Sequence, residues 1–100
     1  MTRTLRTSKL AADEFTAAVR WYEEQRPGLG ADFYRAVTET TALIETHPEI
    51  GTPASADHLT RRVLVSRFPY QLVYRLRPSE IVIVAVAHLK RRPGYWKNRT

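Results

Sequence analysis

The period of polar and apolar positions changes twice along this chain. Residues 3–7 alternate weakly and predict a short first strand. Phe15, Ala18, Val19 and Tyr22 then recur three or four apart, the stripe of an amphipathic helix. Ser8 suits its N-cap, because a hydroxyl accepts from a free amide one turn on. Asp13 and Glu14 are expected early in this helix, near the positive end of its dipole. Trp21 falls beside the stripe and is expected to be half buried. Pro27-Gly28 stops the helix, since Pro disfavours helical geometry in the residue before it and Gly takes positive φ readily. A second helix is predicted from about residue 29 to 47. Leu29, Phe33, Val37, Thr40, Ile44 and His47 hold its period, Ala36 and Leu43 flank them, and Pro48 ends it. Two helices joined by so short a turn form an antiparallel hairpin. Gly51, Pro53, Ser55 and Asp57 mark residues 49–60 as an exposed loop.

From Arg61 the period is two. Arg62, Leu64 and Ser66 alternate with Arg61, Val63, Val65 and Arg67, which predicts a strand over 61–67. Phe68-Pro69 is a corner, because Pro cannot donate to a sheet. The next strand, 70–76, sets Tyr70, Leu72 and Tyr74 on one face and Gln71, Val73 and Arg75 on the other. A turn at 77–80 leads to residues 81–87, uniformly apolar and mostly β-branched. Such a strand is central and covered on both faces, and its second face requires either the chain's own tail or a partner. The order is βααβββ. The predicted fold class is α+β, a helical hairpin on a small antiparallel-rich sheet, in a single domain over 1–100.

Composition narrows the setting. The chain has 100 residues, 43% hydrophobic, which suits a folded globular protein rather than a disordered one. Without cysteine there are no disulfides or thiolate metal sites, and a reducing compartment is expected. The start, Met1-Thr2-Arg3, opens no apolar run of a signal peptide. The longest apolar run is far short of the ~20 residues of a membrane helix. A cytoplasmic protein with no membrane partner is expected. The charge is lopsided: residues 1–50 carry a balance of −2 and residues 51–100 a balance of +8. That asymmetry suits a basic face meeting nucleic acid or an acidic protein, or serves solubility alone.

Few side chains converge on a chemistry. Glu23 and Glu24 are adjacent on a helix, so they diverge by about 100° and read as a solvated face. His47 and His58 lack carboxylate or cysteine at ligand spacing, so no metal site is predicted. No Gly-rich phosphate loop or Gly-x-Ser-x-Gly motif is present, and no cofactor is expected. Tyr70 and Tyr74 read as core aromatics with hydroxyls at the rim, and Trp21 and Tyr22 as the lock between hairpin and sheet. The tail is different. Lys90, Arg91, Arg92, Lys97 and Arg99 interleave with Tyr95 and Trp96, a pattern for nucleic acid or an acidic peptide groove. The alternative is that Tyr95-Trp96 folds back over the open face of the last strand.

Four stretches resemble one family. They are Trp21-Tyr22-Glu23-Glu24-Gln25-Arg26-Pro27-Gly28-Leu29-Gly30, then Phe68-Pro69-Tyr70, the β-rich 81–88, and Arg91-Arg92-Pro93-Gly94-Tyr95-Trp96. Together with the element order they resemble the RelE/ParE superfamily, toxins of type II toxin–antitoxin pairs, on the branch nearer ParE. The resemblance implies an acidic antitoxin in a hetero-oligomeric complex. It also implies one of two targets: RelE-like members cut messenger RNA in the ribosome, and ParE-like members inhibit DNA gyrase.

RNA cleavage without a metal needs a proton acceptor, a proton donor and charge to stabilise the phosphorane. By resemblance those roles would fall on Arg62, Arg91 and Tyr95; Arg67 and Arg75 could substitute if the local twist re-aims them, and His88, at the end of the last strand, could supply an acid or base near neutral pH. Two positions depart from the nuclease pattern: Leu64 stands where a lysine is expected, and Gln71 where an arginine is. Glutamine can hydrogen-bond phosphate but cannot neutralise it. The favoured expectation is therefore a ParE-like toxin that arrests growth by binding gyrase and has no confident catalytic residue. Its target or antitoxin contacts would be Arg62, Arg67, Lys90, Arg91, Arg92, Tyr95 and Trp96. The alternatives are a ribosome-dependent mRNA endonuclease, or an inactive homologue acting only through antitoxin binding.

Overall fold

Strand pairing in a computed structural model of the chain follows the alternation closely, with one parallel contact. The structure describes residues 3–99, and Met1, Thr2 and Thr100 lie outside the described residues. The elements run β1 (Thr4–Thr7), α1 (Lys9–Gln25), α2 (Leu29–Thr46), β2 (Thr52–Pro53), β3 (Thr60–Leu64), β4 (Tyr70–Leu76) and β5 (Glu80–His88), closing with a 3-10 turn, Lys97–Arg99. The sheet order is β1-β5-β4-β3-β2. β1 lies parallel to β5, and the other neighbours are antiparallel. The fold class is α+β, with a mixed sheet. The two-residue β2 lies inside the stretch read as loop, where Pro53 suits an edge strand.

The helices cover one face of the sheet. Ser8 caps α1, its Oγ accepting from Ala11 N–H at 3.3 Å. Asp13 and Glu14 fall beyond the first turn, contrary to the expectation from the dipole. Asp13 instead pairs with Lys9 one turn back. Gly28 takes φ 90° between the helices, and Gly30 lies so close to α1 that a Cβ there would meet Val19 O at 2.7 Å. Glu23 accepts from the backbone N–H of both Gly28 and Gly30. It therefore caps α2 across the hairpin while staying exposed at the surface, as the sequence suggested. Tyr22 packs against Phe33, Phe68 and Tyr70 at centroid distances of 5.0, 5.0 and 6.2 Å. Trp21, expected half buried, is 55% exposed, so Tyr22 is the lock of the pair.

β5 is buried on both faces. Ile81, Ile83 and Val86 face the helices, while Val82, Val84, Ala85 and Ala87 pack on the opposite face with Val73 and Trp96. The switch from odd to even positions is a β-bulge. Val73 opposes Ala85 and Tyr74 opposes Ile83, leaving Val84 without a counterpart. The second face is covered by the chain's own tail, since Trp96 is 7% exposed.

β3 ends at Leu64, short of the predicted 67. Arg67 takes φ 69°, a left-handed conformation in the turn before β4, so it is not a strand residue.

Candidate functional site

β5 outruns its parallel neighbour. β1 stops opposite Ile83, where Ser8 N–H donates to Ile83 O at 2.9 Å and the chain turns away into α1. Val84 O and Val86 N–H beyond that point have no strand to pair with on this side. Side chains complete the edge instead. Glu14 Oε1 accepts from Val86 N–H at 3.0 Å, and Arg99 Nη1 donates to Val84 O at 3.1 Å. Glu14 and Arg99 are themselves joined at 2.9 and 3.1 Å, and the Tyr95 hydroxyl donates to Glu14 Oε2 at 2.8 Å. One carboxylate thus ties α1, the edge of β5 and the tail together.

This clasp changes its members. Burial, then the hydrogen bond to Glu14, pushes the Tyr95 hydroxyl up to about 12. The hydrogen bond to Glu14 raises the Arg99 guanidinium further above its already high value, against the opposing effect of burial. Arg91 lies 3.9 Å above the Tyr95 ring, so the same ring holds a cation whose outer side is exposed. Nothing in the local sequence marks Glu14 as the hub, because its partners lie in β5 and the tail.

Past β5 the tail makes a run of tight turns, helped by Gly94 at φ 76°, and doubles back until Trp96 seats on the sheet. A groove remains between this tail and the far strands. One part, about 350 Å³, is walled by Arg62, Gln71, Leu89, Arg91 and Trp96. A second part, about 540 Å³, continues past Ile50 and Leu64 and shares Arg62, Gln71 and Leu89. No acidic residue lines either part among the described residues. Leu64 lies directly opposite Gln71 in the β3–β4 pairing, so the two positions where charge was expected sit side by side in the groove.

The sequence-derived candidates therefore separate. Arg62 and Arg91 are exposed and line the same groove. Lys90 and Arg92 are exposed beside it on the tail. Arg67 is exposed but is re-aimed by its left-handed turn. His88 turns to a different cleft, its ring edge-on to Tyr70 at 5.1 Å and its Nδ1 accepting from Lys90 N–H. Tyr95 spends its proton on Glu14. Trp96, offered as a contact residue, is buried as part of the lid over β5. Arg75 does not substitute in the groove, because it donates to Thr60 and Asp57. Sequence reasoning missed the apolar side of the groove: Ile50, Leu64 and Leu89 are 49%, 66% and 48% exposed.

No group of three or more potential metal-binding side chains occurs among the described residues. No helix there is long and apolar enough to cross a membrane.

Comparison with known proteins agrees with this architecture. A model of the family described as "ParE toxin of type II toxin-antitoxin system, parDE" matches residues 5–93. No curated protein matches the sequence. Among solved structures, a chain of the "Chromosomal ParDE TA system from P. aeruginosa" superposes with a TM-score of 0.75 at 18% identity. The match covers 87% of this chain and 96% of that one, and at that identity it speaks for the fold alone. The family match spans nearly the whole chain, including the hairpin, the sheet and the start of the tail, and on that ground the chain belongs to the ParE toxin family of type II toxin–antitoxin systems.

Proposed function

We propose that this chain, acting as one unit, is the toxin of a two-protein system that arrests growth by binding DNA gyrase in the cytoplasm. A cognate acidic antitoxin neutralises it in a hetero-oligomeric complex. The observation that carries a binding rather than a cutting role is the make-up of the sheet-face groove. It brings Arg62 and Arg91 together around a neutral Gln71 and an aliphatic Leu64. Tyr95, the tyrosine the family resemblance offered, has its proton engaged by Glu14 and its acidity suppressed. Losing one such charged or proton-donating contact costs about 3 kcal/mol of transition-state stabilisation, and here several are replaced or engaged at once. Gyrase as the target comes from the family resemblance, and the basic rim of Arg62, Lys90, Arg91 and Arg92 supplies a surface for it.

The deciding measurement is supercoiling by purified gyrase with and without the protein. Inhibition at micromolar protein is expected; full supercoiling activity at that level would overturn the gyrase reading. The shared placement of Arg62 and Arg91 is the feature that favours the ribosome-dependent endonuclease. Primer extension on messages from induced cells tests it, and cuts inside translated codons would replace binding with cleavage. Unchanged growth on induction without antitoxin would favour the inactive homologue.

A further inference from the structure

We infer that the cleft between α1 and the end of β5 binds a small planar aromatic anion, a ring carrying one carboxylate or phosphate group. This cleft shares only Arg91 with the sheet-face groove, and the inference does not rest on gyrase being the target. Its volume is about 340 Å³, a size that suits a single small molecule. One half of its wall is apolar. Trp21 stands at the edge, 55% exposed, and Tyr22 braces the indole edge-on at 5.1 Å. Ala17 and Ala18 are too short to fill the space beside it. A flat ring laid against that wall removes apolar surface that water now covers.

The other half consists of donors. Arg91 stacks on the Tyr95 ring at 3.9 Å, which uses the face of its guanidinium. Its N–H groups lie in the guanidinium plane, so stacking leaves them available, and no carboxylate bonds them among the described residues. His88 Nδ1 accepts from Lys90 N–H at 3.0 Å, so the ring proton is on Nε2 and that nitrogen donates. The half-buried Tyr70 hydroxyl, beside His88, has no hydrogen-bond partner among the described residues. The carboxylate in the lining, Glu14, is already occupied by Val86 N–H, the Tyr95 hydroxyl and the Arg99 guanidinium. Three donors with no free carboxylate beside them suit an anion. Other ligands fit worse. A nucleobase brings amino donors, for which the cleft holds no free carboxylate. Single-stranded nucleic acid needs a row of phosphate contacts, and Arg91 is the one cation lining this cleft among the described residues.

The test follows the N–H signals of the nitrogen-labelled full chain by NMR, in which each of the two tryptophans gives its own indole signal. Trp21 reports on the cleft, and the buried Trp96 reports on the fold and the sheet-face groove. Naphthoate is the probe. Naphthamide keeps its ring without the charge, and cyclohexanecarboxylate keeps the charge without a planar ring. A saturable shift of the Trp21 signal at submillimolar naphthoate is expected, with Trp96 unmoved. Each control compound should bind about tenfold more weakly. Trp21→Ala and Arg91→Gln, read from the backbone amides of Ala17 and His88, should each weaken binding about tenfold. Tyr70→Phe should weaken it about threefold. Trp21 and Arg91 are exposed, so the Trp96 signal should keep its native position in both variants. Naphthyl phosphate is run beside naphthoate, and the tighter of the two identifies the anionic group. Any of these results would overturn the inference: no saturable shift at millimolar naphthoate, equal binding of either control compound, movement of Trp96 in place of Trp21, or unchanged affinity in both Trp21→Ala and Arg91→Gln.

Discussion

Glu14 and Arg99, 85 positions apart, meet in a two-pronged ion pair at 2.9 and 3.1 Å, and the side chains of both are largely buried. The pair does the work of a missing strand at the end of β5 and anchors the basic tail. Glu14→Ala leaves the Arg99 guanidinium, the Tyr95 hydroxyl and Val86 N–H without their shared acceptor. It should cost about 2–4 kcal/mol in chemical denaturation. Glu14→Gln retains an acceptor but not the charge and should cost less. Limited proteolysis should show faster cleavage within residues 89–99 in both variants. Native-like resistance of the tail in Glu14→Ala would mean that Trp96 alone holds it.

Glu23 and Glu24 separate by function despite adjacency. Glu23 accepts from two backbone N–H groups at the start of α2, while Glu24 is exposed on the outer surface. Glu23→Ala should cost about 1 kcal/mol, a fall of roughly 5 °C in Tm. Glu24→Ala should change stability by less than about 0.5 kcal/mol. Equal effects from the two would remove the cap from the account of the hairpin.

Arg67 holds φ 69°, where a residue with a Cβ is strained. Arg67→Gly should leave stability unchanged or raise it by up to about 1 kcal/mol, since relief of strain is partly offset by the freer unfolded chain. Arg67→Val should cost about 1–2 kcal/mol, because branching at Cβ worsens the same clash. Urea midpoints of the two variants give the comparison. A large loss with Gly would place residue 67 in extended backbone.

The tail clasp has an alkaline limit. Tyr95 donates its proton to Glu14, and its folded value of about 12 lies above the ordinary 10.0. A group whose folded value is raised contributes stability that is complete below the unfolded value and is lost as pH rises through the folded one. The Tyr95 contribution is therefore intact below pH 10 and disappears between about 10 and 12. Tyr22, Tyr70 and Tyr74 are shifted in the same direction by burial, so they add to the effect. Tyrosinate absorbance should rise late and together with unfolding. In Tyr95→Phe the alkaline loss should be smaller, and an unchanged alkaline midpoint in that variant would take Tyr95 out of the clasp.

Much of the scaffold was legible because its causes are local. Alternation and the 3–4 spacing located both helices and the main strands, and Pro27-Gly28 and Phe68-Pro69 set two of the corners. The unbroken apolar run of β5 announced a strand covered on both sides, and the lid proved to be the tail. Arg62 and Arg91 were named from the family resemblance, and only the fold places both in the lining of one groove.

What the amino-acid order determined by itself is the set of elements, the basic half and the absence of an arginine at Gln71. Tertiary structure alone decided what each polar side chain is for. Glu14 and Arg99 look like solvated charges until β5 runs past β1 and exposes backbone groups that must be paired, and Glu23 becomes a cap only because the hairpin brings Gly28 and Gly30 against it. Of the two readings open for Trp96 the structure takes the buried one because the tail folds over β5, while Trp21 on the outer side of α1 is left exposed. The aliphatic half of the groove was invisible for the same reason. Whether Leu64, Leu89 and Ile50 form a core or a surface depends on which residues arrive from elsewhere in the chain, and in this fold none arrive to cover them.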